Sequence, residues 1–295
     1  MEADPTERAT AKGFSQLGLQ PSPEEAAKAA PYQSEVFFDS YYRSLNEAIT
    51  DRGTIGTFIT ELDSRFHYNA MENAIIRGIA RLESLPRGRA VRAWEYMRRR
   101  QRLRSLDIGS GAGHWIDFFR GVLYVTEVVG CEIAPPVLDH LRSRFAAIPE
   151  VRILHHNLSD GALPQQIVAD GFDYISAIGV MFHIVDDGSW ERAIRHLAEV
   201  TKPGGLLFFG GEFGTTTRNV QFHKTDRFDS FDALREAGTT PGYRVNKKVR
   251  SLAEWDRAAA RCGLVIVDLI RSESDWAIMT PENDLLILRR PMEAE

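Results

Sequence analysis

Short apolar runs alternate with amphipathic stretches through the C-terminal two thirds of the chain. Leu103–Ile108, Val125–Glu132, Val151–His156, Phe172–Val180 and Leu206–Gly210 are apolar over most of their length, which predicts five strands covered on both faces. Between them, Trp115, Phe118, Phe119 and Val122 share one helical face. Val137, Leu138, Leu141 and Phe145 share another, behind a helix start at Pro135 and Pro136. A third stripe, Ala193, Ile194 and Leu197, begins near Ser189 and is stopped by Lys202-Pro203-Gly204-Gly205. Ser251 and Glu254 have capping-box spacing ahead of Trp255, Ala259 and Cys262, with Gly263 as the stop. Leu264–Ile270 and Leu285–Leu288 add two strands, and their short connection predicts an antiparallel pair. The pattern predicts a Rossmann-like α/β fold: a seven-stranded, mostly parallel sheet with an antiparallel last strand and helices on both faces.

The N-terminal third has a different rhythm. Residues 1–31 mix Pro, Ala, Glu and Lys with few large apolar side chains, which predicts a flexible tail. Residues 32–100 turn helical: Phe37, Tyr41 and Leu45 recur at four-residue spacing, and Ala74, Ile75, Gly78, Ile79 and Leu82 form a second stripe. This stretch is expected to be a helical cap on a domain spanning 101–295. Within that domain, residues 212–250 are polar and aromatic, nearly free of apolar periodicity, and longer than a connection requires, as expected of an insert that contacts substrate or acts as a lid.

Composition narrows the function. With 43% hydrophobic residues the chain can build an ordinary core, and a net charge of −5 argues against a general attraction to nucleic acid or anionic membrane. No apolar run is long enough to span a bilayer. Cys131 and Cys262 cannot form a disulfide framework or a cysteine zinc cluster, so a soluble cytoplasmic protein acting on a small molecule is expected.

The clearest chemistry is Asp107-Ile108-Gly109-Ser110-Gly111-Ala112-Gly113, which leaves the first strand and enters a helix, where an open α/β sheet presents its ligands. Glycines let a ligand approach the backbone, and the helix start offers amide donors. A dinucleotide fingerprint counted from Gly109 would need glycine where His114 stands, which weakens an NAD reading. Glu132 closes the second strand, where a carboxylate can accept hydrogen bonds from both hydroxyls of a ribose; the alternative is that it caps the helix behind Pro135.

The motif resembles the first motif of class I S-adenosylmethionine-dependent methyltransferases, and the resemblance runs from about Arg104 to Phe209. It implies that Asp107 helps hold the methionine portion of S-adenosylmethionine beside Gly109, Ser110, Gly111 and Gly113, with Glu132 and Ile133 at the ribose. Asn157-Leu158 then falls where the family often has an acidic residue at the adenine, and Asn157 is equally suited to an ordinary turn. Ala177-Ile178-Gly179-Val180-Met181-Phe182-His183 resembles the fourth motif, which places Gly179 at the cofactor and makes His183 a candidate general base, with lining the pocket or bonding a backbone carbonyl as its alternative. Glu212, just past the fifth strand, is a candidate for orienting the acceptor, with loop solvation as its alternative. Tyr68, in the cap, is a candidate aromatic lid over the cofactor, with helix surface or core packing as its alternative.

Several features are expected to carry no chemistry. His155, His156, His223, Asp186 and Asp187 lack metal-ligand spacing, and no metal is assigned. Arg98, Arg99, Arg100, Arg102 and Arg104 read as a solvated helix end. The acceptor atom is left as O, N or C. Nucleic-acid amino methylases carry Asn or Asp followed by Pro-Pro and an aromatic after strand four, which is absent here. Cytosine C5 chemistry would need a cysteine at that edge. The basic content of the insert, Arg218, Lys224, Arg227, Arg244 and His223, suggests an acceptor with a carboxylate or phosphate, the alternative being an insert charged only because it is exposed. The competing readings are a methyltransferase of nucleic acid or protein and a non-catalytic nucleotide-binding protein.

Overall fold

The computed structural model describes residues 34–44, 49–50, 61–82, 102–223, 244–271 and 284–292. The expected tail at 1–31, Leu45, and the arginines 98–100 lie outside these residues. Two helices come first, α1 (Ser34–Ser44) and α2 (Glu61–Leu82). An alternating series follows: β1 (Arg104–Ile108), α3 (His114–Gly121), β2 (Glu127–Glu132), α4 (Pro135–Phe145), β3 (Val151–His155), the single turn α5 (Gln165–Val168), β4 (Phe172–Ile178), α6 (Asp187–Val200) and β5 (Thr201–Gly211). The chain then forms β6 (Arg218–His223), β7 (Arg244–Val249), α7 (Leu252–Arg261), β8 (Val265–Ile270) and β9 (Asp284–Arg289).

The main sheet has seven strands in the order β3-β2-β1-β4-β5-β9-β8. The first five are mutually parallel, and β9 runs antiparallel between β5 and β8. The expected seven-stranded, mostly parallel sheet with an antiparallel last strand is therefore present, although that last strand is interior to the sheet and β8 is its edge. Burial on both faces explains the continuous apolar runs. Leu206 and Phe208 point into one core and Leu207 and Phe209 into the other; Leu285 and Ile287 are likewise split from Leu286 and Leu288.

Helices α1 to α4 cover one face, where Met71, Ile75 and Ile79 of α2 share a core with Phe119, Tyr174, Phe208 and Ile287. Gly78 brings α2 close to the sheet: a Cβ there would lie 2.2 Å from Ile287 Cδ1. Helices α6 and α7 cover the other face through Ala193, Ile194, Leu197, Trp255 and Ala258. The capping box is present, with Ser251 Oγ accepting from Glu254 N and the Glu254 carboxylate accepting from Ser251 N.

Three local expectations are corrected. Helix α6 begins at Asp187 instead of near Ser189, because Asp186 caps it by accepting from Ser189 N at 2.7 Å. Lys202–Gly205 bulges out within β5, whose Thr201 pairs with Phe172 and whose Leu206 pairs with Tyr174. Arg104 is 8% exposed, not solvated; it donates to Glu127 at 2.8 Å and to the carbonyls of Gly171 and Ile167, fastening the start of β1 to its neighbours. The insert also holds a feature its polar sequence hides, the antiparallel pair β6–β7.

Candidate active site

β1 and β4 are adjacent, yet the chain leaves β1 toward β2 and β3 before returning to β4. Their C-terminal ends therefore flank a topological switch point, where open α/β sheets leave a crevice. Asp107 sits there with no exposed surface, paired in register with Ser176, whose Oγ donates to Asp107 Oδ1 at 2.6 Å. Its second oxygen, Oδ2, is buried without a hydrogen-bond partner. Burial pushes the Asp107 carboxyl up to about 7, a shift that the Ser176 hydroxyl moderates and the nearby Glu132 charge reinforces.

The loop beyond Asp107 is shaped by glycines at positive φ: Gly109 (69°), Gly111 (52°) and Gly113 (97°). Gly109 lies against the end of β4, since a Cβ there would come within 2.5 Å of Val180 Cγ2. Gly109 N and Ser110 N both donate to the Cys131 carbonyl, at 2.8 and 3.1 Å, and Ser110 Oγ donates to the Asp107 carbonyl. Gly113 caps α3 without any side-chain hydrogen bond.

Glu132 spans the gap between this loop and α4. Oε2 accepts from Gly111 N at 3.0 Å, and Oε1 accepts from Ile133 N at 2.8 Å and Ala134 N at 3.2 Å. The capping role weighed from sequence is thus real, and the same carboxylate, 7% exposed, stands beside the glycine loop. Asn157 is half-buried, and its Oδ1 accepts from Ser159 N at 3.0 Å in an Asx turn that sets Leu158 into the core. Gly179, at φ 74°, closes the far wall and donates through its N–H to the Gly210 carbonyl.

A narrow cleft lies past the ends of β4 and β5. Phe182, Trp190 and Trp255 line it with Glu212, Lys248 and Arg250. Glu212 is not solvated as its loop position allowed; its side chain is 11% exposed and pairs with Arg218. Arg250, 2% exposed, donates to Asp187 Oδ1 at 3.0 Å and lies 4.3 Å over the Trp190 ring, while Lys248 reaches the same carboxylate at 2.7 Å. These cations, Lys248 first, hold the Asp187 carboxyl below its usual range, and burial lowers the Arg250 guanidinium.

Residues 106–207 match the family model described as a methyltransferase domain. The fold agrees with solved structures of low identity. The CcbJ methyltransferase from Streptomyces caelestis is 18% identical with a TM-score of 0.51, the match covering 88% of this chain and 100% of that one. An S-adenosylmethionine-dependent methyltransferase from Clostridium acetobutylicum is 12% identical with a TM-score of 0.50, covering 76% and 92%. No functionally curated protein matches the chain in sequence.

Within the stretch that matches this model, Asp107, Gly109, Ser110, Gly111, Gly113, Glu132 and Ile133 lie around one crevice, with Gly179 on its β4 side. His183 closes a single 3-10 turn (Met181–His183) and stands edge-on between two rings, Phe38 of α1 at 5.1 Å and Phe182 at 4.6 Å. Tyr68 of α2 is 8% exposed and stacks on His114 at 3.7 Å, and Glu72 bonds the same imidazole at 2.8 Å. Helix α2 therefore grips His114, the residue that follows the last motif glycine. Lys224, Arg227 and the side chains of His223 and Arg244 lie outside the described residues. Among the described residues no group of three His, Cys, Asp or Glu could hold a metal ion, and no helix is long and apolar enough to cross a membrane.

Sequence reasoning passed over Ser176, Trp190, Lys248 and Arg250. Ser176 carried a usable signal, a polar residue inside an apolar strand. Lys248 and Arg250 carried none, because their partner Asp187 is 61 and 63 residues away.

Proposed function

We propose that the protein is an S-adenosylmethionine-dependent methyltransferase of a small molecule, methylating an O, N or C atom. The observation that carries this reading is the buried Asp107 at the switch point, with one oxygen unpartnered, beside a glycine loop that opens onto an uncapped helix start. A cofactor with a cationic amino group, a carboxylate and a ribose fits this donor set. The unpartnered Asp107 oxygen suits the ammonium, the start of α3 suits the carboxylate, and Glu132 with Ile133 suits the ribose hydroxyls. Asn157 and Leu158 would border the adenine and Gly179 the opposite wall. When bound, S-adenosylmethionine supplies a methyl group on a positively charged sulfur.

The remaining residues would serve the acceptor. His183, at the end of β4, would take a proton where the acceptor has one to lose, and the rings of Phe38 and Phe182 fix its plane. Glu212 would orient the acceptor from the β5 side. The N-terminal region at 32–100 and the insert at 212–250 would enclose the site, with Tyr68 braced against His114 next to the glycine loop.

Calorimetric titration with S-adenosylhomocysteine, repeated with NADH and with Glu132→Ala, tests the reading. Binding of S-adenosylhomocysteine but not NADH is expected, weakened about 10- to 100-fold by the substitution, the loss of a charge-assisted hydrogen bond. Preference for NADH, or failure to bind either, would leave only the fold.

A further inference from the structure

The family model matches residues 106–207, and α2 lies wholly outside that stretch. Two of its side chains nevertheless reach the end of the glycine loop. Tyr68 stacks on the His114 ring at 3.7 Å, with 27° between the planes, and the Glu72 carboxylate meets His114 Nε2 at 2.8 Å. An ionised carboxylate only accepts, so this contact places a proton on Nε2 and fixes the edge of the ring while Tyr68 fixes its plane. Tyr68 and Glu72 are four residues apart and share a helical face, and the helix that carries them is set in the core by Met71, Ile75 and Ile79. His114 is the first residue of α3, and no side-chain cap of its own fixes that end. The helix is only eight residues long, and its N-cap Gly113 makes no side-chain hydrogen bond. Its start is held from outside. Arg144 of α4 donates to the Ala112 carbonyl and pairs with Asp117, and α2 contributes Tyr68 and Glu72. The Arg144 and Asp117 side chains are 37% and 44% exposed, whereas those of Glu72 and His114 are 25% and 21% exposed, so the grip from α2 is the less screened ion pair.

We propose that Glu72 is a positioning residue for the cofactor: acting through His114, it fixes the start of α3 where the amino-acid end of S-adenosylmethionine binds. The cofactor site then extends beyond the matched stretch into the N-terminal helices. The inference rests on the methyltransferase reading, which assigns the start of α3 to the cofactor's carboxylate. The nucleoside half of the cofactor, assigned to the ends of β2 and β3, does not depend on Glu72. A contact that merely fastened α2 to the domain would make no such distinction between the two halves.

The test compares S-adenosylhomocysteine with 5′-methylthioadenosine, which keeps the nucleoside and lacks the amino acid, by calorimetric titration of the full chain. Glu72→Ala is expected to weaken S-adenosylhomocysteine about tenfold, the size of one charge-assisted hydrogen bond, and to leave 5′-methylthioadenosine within about twofold. Glu72→Gln keeps an acceptor oxygen for Nε2 and should recover most of the loss. Because the Glu72 side chain is 25% exposed and outside the apolar core, both substitutions leave the packing of α2 in place. Hydrogen exchange of the unliganded chain is the second readout. Amides of residues 109–118 should exchange severalfold faster in Glu72→Ala, while those of α6 and α7, on the opposite face of the sheet, keep their wild-type rates. An equal loss for both ligands, an unchanged affinity for S-adenosylhomocysteine, or unchanged exchange at 109–118 would each overturn the proposal. The wild-type titration separates the two failures. If the wild type binds S-adenosylhomocysteine and Glu72→Ala binds it as well, only this inference falls. If the wild type does not bind it, the methyltransferase reading falls, and faster exchange at 109–118 would still assign the fixing of α3 to Glu72.

Discussion

The glycine loop after β1 and the cleft past β5 border the same edge of the sheet and are built on opposite plans. The loop is a backbone construction: three glycines at positive φ, amides directed to the Cys131 carbonyl and the Glu132 carboxylate, and one buried Asp held by the next strand. The cleft is a side-chain construction, with Arg250 and Lys248 gathered by Asp187, and Arg218 by Glu212. A backbone site tolerates little change because each residue is fixed by sterics. A site of charged side chains can be retuned one pair at a time.

That contrast is broken most directly at Gly113. Its φ of 97° is strained for any L side chain, and a Cβ would come within 2.7 Å of the Phe145 ring. Gly113→Ala is expected to cost about 1–3 kcal/mol from backbone strain, before any ring displacement, and to weaken S-adenosylhomocysteine binding more than tenfold. Urea denaturation and calorimetry read the two effects. Lys248→Gln, on the other side, should change stability by less than about 1 kcal/mol, since its carboxylate partner is exposed. Equal costs for the two variants would remove the distinction between the regions.

The same contrast explains what could be read from the sequence. The strands, the helix faces around Phe119 and Leu141, and the Ser251–Glu254 capping box are local or periodic features, so they appear in the order of residues. The motif glycines are equally legible, because the conformations they permit follow from their own missing side chains. Arg250 and Lys248 are not, because their meaning depends on a helix more than sixty residues earlier. Arg104 was misjudged for a related reason. It continues a basic run, and only the neighbouring strands, which supply Glu127 and the Gly171 carbonyl, show that it is buried. β6–β7 was missed because a two-stranded ribbon need not bury an alternating apolar face.

A smaller effect sharpens the description of the loop side. Asp107 has a folded-state value of about 7, raised by burial, against about 4 in an unfolded chain. An acid with a raised value holds its proton more tightly when folded. Its contribution to stability is therefore fully present below about pH 4 and is lost as pH rises through about 7. Asp107→Asn keeps the shape and removes the titration. The difference in unfolding free energy, variant minus wild type, should become more positive between pH 4 and pH 8, read by urea denaturation at both values. A difference independent of pH would mean that Asp107 is ionised throughout and has a partner for Oδ2.

The smallest effect tests the cleft side. The Glu212 side chain is 11% exposed and its partner Arg218 is 46% exposed, so the pair is half screened by solvent and worth little as a whole. Removing only the arginine leaves a mostly buried carboxylate without its counter-charge, which costs more than the pair contributes. Arg218→Ala is therefore expected to lower stability by about 1 kcal/mol, and Glu212→Gln added to it should recover most of that loss. A double-mutant cycle in urea measures the coupling. Kinetics then separate structure from chemistry. A Glu212 that orients the acceptor makes Glu212→Gln raise KM for the acceptor while S-adenosylhomocysteine affinity stays constant, and restoring the stability through the double variant does not restore KM. A KM that returns to the wild-type value in the double variant would assign Glu212 to the ion pair alone.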